Sequence, residues 1–309
     1  MSFSKALSEF KWRWFFKAIA TIVGSVLLLL LLVMSPLDRP LYDLVLFHPT
    51  PLAADFQMPP CETVVAKEVD FQSLNGTKLT GWYFKQPGSK YIVLFSHGNG
   101  GNVSHRFDNL QLLMRAGVSA FAYDYEGYGK SAGKPTVPNI CDDAIGAYNY
   151  VTSNLQYPPD RIVLCGESLG TVVTGYLSSK VKSAGIILQS PLFSLPRRGR
   201  EILPALSIYP NWLYQHNGLD NADVLSRAHA PLLMVAGTKD PMLPIAHADD
   251  LFAQAREPKT FVRIEGAGHT GDPKLTFAPE YAAALKVFLG GLDHKTAPSV
   301  SPTKFAQPI

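Results

Sequence analysis

Residues 163–171 read VLCGESLGT, in which Ser168 is flanked by glycines two positions away on either side. The apolar run before it, RIVLC, is short and β-branched, whereas SLGTVVTGYLSSK carries small and apolar residues at helical spacing. Ser168 therefore falls where a strand becomes a helix, in a turn that strains the backbone. Gly166 and Gly170 lack the Cβ atoms that would collide there, so the serine hydroxyl is predicted to project out of the fold.

Strand and helix patterns alternate on both sides of this turn. A predicted hairpin, TVVAKEVDFQS and LTGWYFKQ around LNG, precedes six apolar runs: YIVLFSHG, SAFAYDY, RIVLCG, AGIILQS, LLMVAGT and TFVRIEG. Helical patterns lie between or after them, at about 102–116, 139–155, 169–182, 246–256 and 277–290. This order predicts an α/β fold over residues 63–292, with a mostly parallel sheet, helices on both faces and ligands at the carboxyl ends of the strands.

Two further reactive side chains follow predicted strands. LLMVAGTKDPMLP places Asp240 in the loop after one strand, and TFVRIEGAGHTGD places His269 after the next. With Ser168 they give the chain order serine, acid, histidine of the α/β-hydrolase arrangement. A serine hydroxyl needs an imidazole to take its proton and a carboxylate to fix the imidazole tautomer, so we predict these three as the catalytic residues. Asp272 and Glu265 are the alternative acids.

Two backbone amides are needed for the oxyanion that such a serine would generate. The amide of Leu169 lies at the start of the helix after Ser168, where unsatisfied N–H groups and the helix dipole point at the site. The second amide is expected from the loop NGGN after YIVLFSHG, whose glycines let the backbone approach a substrate. Asn102 is predicted to be the N-cap of the helix that follows.

A 40-residue connection, from Pro191 to Ala230, is far longer than an ordinary loop between a strand and a helix. Its aromatic side chains predict a small lid over the ligand face, with Phe193 and Trp212 as candidate substrate-binding residues. The alternative is a pair of helices that packs on the edge of the sheet. The tail, 293–309, has no period and is predicted to be disordered.

The composition excludes several classes of protein. The chain has 309 residues, of which 47% are hydrophobic and 17% charged, enough for one large α/β domain and an extra segment. The net charge is only +3 and no basic stripe is present, so we expect no nucleic-acid partner. The three cysteines show neither C-x-x-C nor metal-ligand spacing, and we expect no disulfide framework, no metal and no cofactor.

The N-terminal segment has the pattern of a membrane anchor. Residues 18–34, AIATIVGSVLLLLLLVM, carry no charge and are near the lower length limit for crossing a bilayer. Four basic residues precede this span and Arg39 alone closely follows it, which predicts a cytoplasmic segment 1–17 and an extracytoplasmic hydrolase domain after a linker, 35–62. A cleaved signal peptide is the alternative. A glycan at Asn102, in NVS, would crowd the oxyanion loop, which favours a bacterial inner membrane and a periplasmic domain.

Five motifs, SHGNGGNVSHR, YDYEGYGKSAGKP, GESLG, GTKDPMLP and GAGH, carry a family resemblance. In order and spacing the chain resembles membrane-anchored α/β-hydrolases of the Bem46 and ABHD-type serine hydrolase group over about residues 40–290. The resemblance implies an eight-stranded sheet, the Ser168, Asp240 and His269 triad, and oxyanion amides from Leu169 and Asn99. Gly100 is the alternative to Asn99. The chain departs from the group at Glu126, where such proteins usually carry arginine.

Together these features predict a serine hydrolase that cleaves carboxylic esters or thioesters through an acyl-enzyme. The expected partner is a small-molecule or lipid-like acyl substrate, and the N-terminal helix is expected to contact the membrane. A serine peptidase or lipase on the same triad is an alternative. A catalytically silent hydrolase fold that serves as an anchored binding module is another.

Overall fold

The predicted sheet is present in the computed structural model, which describes residues 3–33, 43, 46–59, 64–210 and 219–294. Within these residues its eight strands are β1 (Val65–Gln72), β2 (Lys78–Lys85), β3 (Ile92–Ser96), β4 (Ser119–Tyr123), β5 (Ile162–Glu167), β6 (Gly185–Gln189), β7 (Leu232–Gly237) and β8 (Lys259–Ile264). β1 and β2 match the predicted hairpin, and each of the other six lies within or closely overlaps one of the apolar runs of the sequence. A separate short parallel pair, which the sequence does not predict, joins His48–Pro49 to Gly100–Gly101.

The strands lie in the order β8-β7-β6-β5-β3-β4-β2-β1. β2 runs antiparallel to both of its neighbours, and all other adjacent strands are parallel. The prediction of a mostly parallel sheet with an opening hairpin is therefore confirmed. Because β3 to β8 share one direction, the loops that follow β3, β5, β7 and β8 all emerge at the same edge of the sheet.

The helices of the described residues are α1 (Phe3–Val33), α2 (Phe107–Arg115), α3 (Val137–Ser153), α4 (Leu169–Lys180), α5 (Leu195–Ile202), α6 (Asn221–Leu225), α7 (Ala246–Gln254), α8 (Pro273–Thr276) and α9 (Pro279–Gly291). All five predicted helices of the α/β region are found as α2, α3, α4, α7 and α9. The short helices α5 and α6 lie in the segment 191–230, for which a pair of helices is the alternative prediction. Helix α8 is not predicted, because four residues carry too little periodicity.

Helices cover both faces of the sheet, as predicted. Successive side chains of β3 point to opposite faces, and each face has its own buried cluster. Ile92 and Leu94 pack in the cluster that contains α3 and α4, whereas Val93 and Phe95 pack in the cluster that contains α2 and α9. Burying each such side chain stabilises the fold by about 1.5–3 kcal/mol. The central strands are therefore firmly packed beneath the loops at their ends.

Helix α1 contains most of the predicted anchor, 18–34. The side chains of residues 29–34 lie outside the described residues, as do most of the predicted tail and much of the predicted linker. Among the residues that the structure describes, no helix combines the length and the apolar character needed to span a membrane. The anchor stays a prediction.

Glu126 fills the position at which the resemblance leads us to expect arginine. Its buried carboxylate accepts hydrogen bonds from Asn75 Nδ2 at 2.6 Å and Asn139 Nδ2 at 2.9 Å. Its backbone N–H donates to Asp143 Oδ2 at 2.8 Å. Two side-chain amides therefore hold this loop, after β4, to the β1–β2 turn and to α3.

The buried carboxyl of Asp143 makes the stability of the fold depend on pH. Burial raises the pKa of Asp143 from its ordinary 3.8 to about 7, against the opposing hydrogen bond from the Glu126 amide. The folded chain holds this proton more tightly than the unfolded chain does. The contribution of Asp143 to stability is therefore complete below the ordinary pKa of 3.8 and is lost as the pH rises through about 7.

Asp143→Asn is expected to flatten the pH dependence of stability, because it removes the titrating group and keeps an oxygen for the Glu126 amide. The wild-type protein should lose up to about 1.4 kcal/mol per pH unit more than the variant between about pH 5 and pH 7. Urea unfolding of both proteins across that range measures the two slopes. Equal slopes would contradict the prediction.

Candidate active site

Ser168 occupies a sharp turn between β5 and α4, as the sequence predicts. Its backbone has φ 50° and ψ −120°, a region that residues other than glycine rarely adopt. A methyl group on Gly166 would overlap the carbonyl oxygen of Gly170, and one on Gly170 would overlap the carbonyl oxygen of Ser96. The two glycines are thus required by the close approach of neighbouring backbone.

Gly170→Ala is expected to destabilise the fold by about 3 kcal/mol or more, because the added methyl meets backbone of β3 that cannot move aside. Gly290→Ala is the matched control. Gly290 lies in α9, where nothing is within 4 Å of an added Cβ, and the substitution should raise stability by about 1 kcal/mol. Urea unfolding measures both effects. Similar stability of the two variants would show that the packing at Gly170 is not tight.

Three side chains far apart in sequence form one hydrogen-bonded chain at the carboxyl edge of the sheet. His269 Nε2 lies 2.9 Å from Ser168 Oγ, and His269 Nδ1 lies 2.6 Å from Asp240 Oδ2. The structure therefore brings together the three residues selected from the sequence. Of the alternative acids, Asp272 accepts the backbone N–H groups of Gly268 and Lys274, and Glu265 is exposed.

Hydrogen bonding keeps Asp240 ionised although it is buried. Burial alone would raise the pKa of Asp240, but the hydrogen bonds from His269 and from the Leu243 and Met242 amides outweigh it and hold the pKa below the ordinary 3.8. Both amides donate to Oδ1, at 2.8 Å each, which leaves Oδ2 for His269. The carboxylate can only accept, so Nδ1 carries the proton and the Nε2 lone pair faces the serine hydroxyl.

The loop after β3 lies against the serine turn. A Cβ on Gly98 would be 3.3 Å from the Ser168 Cβ atom, so this backbone passes directly beside the hydroxyl-bearing residue. Leu169, on the other side, is the first residue of α4, and its amide has no partner within the helix. The structure places Gly98, the residue before Asn99, beside Ser168, and the oxyanion roles of Leu169 and Asn99 stay predictions. The choice between Asn99 and Gly100 stays a prediction.

Asn102 ends this loop as the predicted cap. Its side-chain oxygen accepts the Ser104 N–H at 2.9 Å, and it caps the short 3-10 helix Val103–Arg106 that leads into α2. Its Nδ2 donates to the carbonyls of Thr50 and Pro51, and the residue is buried.

The predicted lid segment, 191–230, closes on itself at its base. Leu195 N donates to the Leu219 carbonyl at 3.1 Å, and α5 and α6 lie within the segment. Phe193 packs against the cluster of β6, β7 and α7, and its ring lies 4.9 Å from the Arg197 guanidinium carbon. Trp212 lies outside the described residues. The lid and the substrate roles of both aromatics stay predictions.

Two residues near Ser168 were missed in the sequence. Glu167 is completely buried, and Arg106 forms an ion pair with it. A charged residue inside an otherwise apolar strand was the available signal.

Among the residues that the structure describes, no group of three or more His, Cys, Asp or Glu side chains could hold a metal ion.

Comparison with known proteins identifies the class. A family model described as serine aminopeptidase, S33, matches residues 87–229. Human alpha/beta hydrolase domain-containing protein 17B is 32% identical over 208 residues, which cover 66% of this chain and 67% of that protein. An uncharacterized protein of Mycobacterium tuberculosis is 32% identical over 225 residues, covering 72% and 79%. The chain belongs to the α/β-hydrolase family.

Solved structures agree on the fold. An esterase of Pyrococcus furiosus superimposes with a TM-score of 0.64 at 19% identity, covering 79% of this chain and 97% of that one. Carboxyl esterase 2 of Tuber melanosporum gives 0.59 at 15% identity, covering 79% and 90%. At these identities the likeness shows the α/β-hydrolase fold alone. The narrower Bem46 grouping of the sequence stays a prediction.

Proposed function

We propose that this protein is a serine hydrolase that cleaves carboxylic esters or thioesters through an acyl-enzyme. The observation that carries the proposal is the unbroken chain of hydrogen bonds from Asp240 through His269 to Ser168, with spacings of 2.6 and 2.9 Å. Its tautomer is the one that general-base catalysis needs. Membership of the α/β-hydrolase family supports hydrolysis as the reaction.

The reaction follows from the position of each atom. Ser168 Oγ attacks the acyl carbonyl as His269 Nε2 takes its proton, and Asp240 stabilises the imidazolium. The N–H groups of Leu169 and Asn99 donate hydrogen bonds to the carbonyl oxygen and stabilise the negative charge that develops there. His269 then protonates the departing alkoxide or thiolate. Water then attacks the acyl carbonyl as the same imidazole takes its proton, and the imidazolium returns that proton to Ser168 Oγ as the acid departs.

The substrate class rests on the segment 191–230. We propose that its apolar residues, with Phe193 and Trp212 among them, receive the acyl chain of a small-molecule or lipid-like substrate. An anchor at 18–34 would hold the domain near a lipid surface on the extracytoplasmic side. The family description favours one second candidate, a serine peptidase, which would use the same three side chains and a protonated amine as leaving group.

A silent binding module usually goes with the loss of one of the three catalytic side chains. The three side chains are all present and mutually hydrogen bonded, which disfavours that alternative. A fluorophosphonate probe tests the point directly. We expect one probe adduct per chain by intact mass, located on the peptide that contains Ser168. Absence of labelling in folded protein would contradict the proposed function.

A separate substrate panel assigns the leaving group. A panel of p-nitrophenyl esters and acyl thioesters of graded length, with an aminoacyl p-nitroanilide, separates the esterase, thioesterase and peptidase alternatives. We expect ester or thioester turnover without measurable anilide turnover, because even a peptidase cleaves an activated ester faster than an anilide. Measurable anilide turnover would assign the peptidase.

A further inference from the structure

A buried ion pair lies next to the serine turn and has no role in the reaction described above. Glu167, the residue before Ser168, has a side chain with 0% exposure, and Arg106 pairs with its carboxylate through Nε. Glu167 Oε1 also accepts the Gly98 amide at 3.1 Å, and Oε2 accepts Asn109 Nδ2 at 2.7 Å. The pair is therefore bonded to the loop after β3 and to α2.

Arg106 holds the other end of the same loop. Its Nη2 donates to the carbonyl of Gly100 at 2.5 Å, and its side chain is only 17% exposed. The two members of the ion pair thus bond to Gly98, before Asn99, and to Gly100, after it. Burying two charges costs free energy that apolar residues of similar size would not cost, so stability alone is a weak reason for its presence.

The carbonyls of this loop are held one by one. The His97 carbonyl accepts from Tyr125 Oη at 3.0 Å, and the Gly98 carbonyl accepts from His97 Nδ1 at 2.7 Å. The Asn99 carbonyl accepts from Tyr128 Oη at 2.8 Å, and the Gly100 carbonyl accepts from Arg106 Nη2. Burial lowers the pKa of His97 to about 3, so the ring is neutral, and Nδ1 must donate because a carbonyl oxygen can only accept.

Fixing these carbonyls fixes the amides that catalysis would use. A peptide unit is planar, so an anchored C=O sets the direction of the N–H of the next residue. The anchored carbonyls of Gly98 and Asn99 therefore orient the N–H groups of Asn99 and Gly100 before any substrate binds. Preorganised donors of this kind stabilise a transition state without reorganising during the reaction.

We propose that the Glu167–Arg106 ion pair is a positioning device for the oxyanion loop. It locks residues 98–100 to the serine turn, because one member of the pair is the residue adjacent to Ser168. The inference rests on the proposed function, since it assumes that an oxyanion forms at Ser168. Glu167 and Arg106 act through the loop and do not touch the substrate.

Variants that remove one charge test the pair. Glu167→Gln and Arg106→Gln should each lower kcat by about 10- to 100-fold, with KM changed far less, because misplacing an oxyanion donor weakens the transition state selectively. The double variant should be about as slow as the slower single variant, since the two residues form one unit. Losses that simply multiply, or a change in KM alone, would overturn the proposal.

Two further readouts separate positioning from a general loss of structure. The affinity for a trifluoromethyl ketone, which forms a tetrahedral oxyanion at the serine, should weaken in step with kcat. Added guanidinium ions should restore part of the kcat of Arg106→Ala, whose vacated site opens to solvent. Unchanged inhibitor affinity or failure of this rescue would count against the pair as a positioning device.

Controls keep this inference distinct from the proposed function. Arg161→Gln breaks an ion pair with Asp293 just before the start of β5, at the opposite end of that strand from Ser168, and should retain kcat. Ser168→Ala is assayed in parallel. If Ser168→Ala stays active, the proposed function fails; if it is inactive while the Glu167 and Arg106 variants keep full kcat, only the positioning role fails.

Discussion

Replacing Ser168 with alanine is expected to lower kcat for ester hydrolysis by about 10⁴- to 10⁶-fold. The imidazole of His269 then faces a methyl group, and no covalent acyl-enzyme can form. What remains is the contribution of the amide donors and of substrate binding. Initial rates with the best p-nitrophenyl ester of the panel, at enzyme concentrations high enough to detect slow turnover, measure the loss.

Stability measurements provide the control for this variant. Alanine is strained at φ 50° much as serine is, so Ser168→Ala should unfold at nearly the wild-type urea concentration. Ser168→Gly should be equally inactive and more stable by about 1 kcal/mol, because glycine adopts this backbone without strain. Ester turnover that survives in both folded variants would refute the serine mechanism.

Asp240→Asn is expected to lower kcat by about 10⁴-fold without disturbing the fold. The amides of Met242 and Leu243 both donate to Oδ1, so an asparagine must keep its oxygen there and turn its NH₂ group towards His269. That NH₂ group would donate to Nδ1 and move the ring proton to Nε2. The imidazole would then donate to Ser168 Oγ and could no longer accept its proton.

The pH profile identifies this mechanism. Activity of Asp240→Asn should recover partly at high pH, where hydroxide or an ionised serine replaces the missing base, whereas a misfolded protein would stay inactive. Glu265→Gln is the matched control, because it removes the exposed alternative acid and should leave kcat unchanged. Full activity in Asp240→Asn, or a large loss in Glu265→Gln, would show that Asp240 is not the catalytic acid.

Much of the fold could be predicted from local patterns. Five of the apolar runs became β3 to β7 because strands buried on both faces must be apolar throughout, and that requirement is visible residue by residue. The sixth became β8, an edge strand that is half exposed. The two-residue pair His48–Pro49 with Gly100–Gly101 could not be predicted, because so short a contact leaves no periodicity. The bounds of the short helices in the segment 191–230 could not be predicted for the same reason.

The candidate site divides in a similar way. The sequence alone determined the strand-turn-helix at Ser168, since its glycines are demanded by backbone contacts within one local unit, and it placed Asp240 and His269 at strand ends. Only the tertiary structure decided that His269 meets Asp240 and not Asp272, three residues away, and that Glu167 meets Gly98 and Arg106 across more than 60 positions. Hydrogen bonds and ion pairs depend on distances of a few ångströms between side chains, and those distances are set by how whole strands pack, which no local pattern encodes.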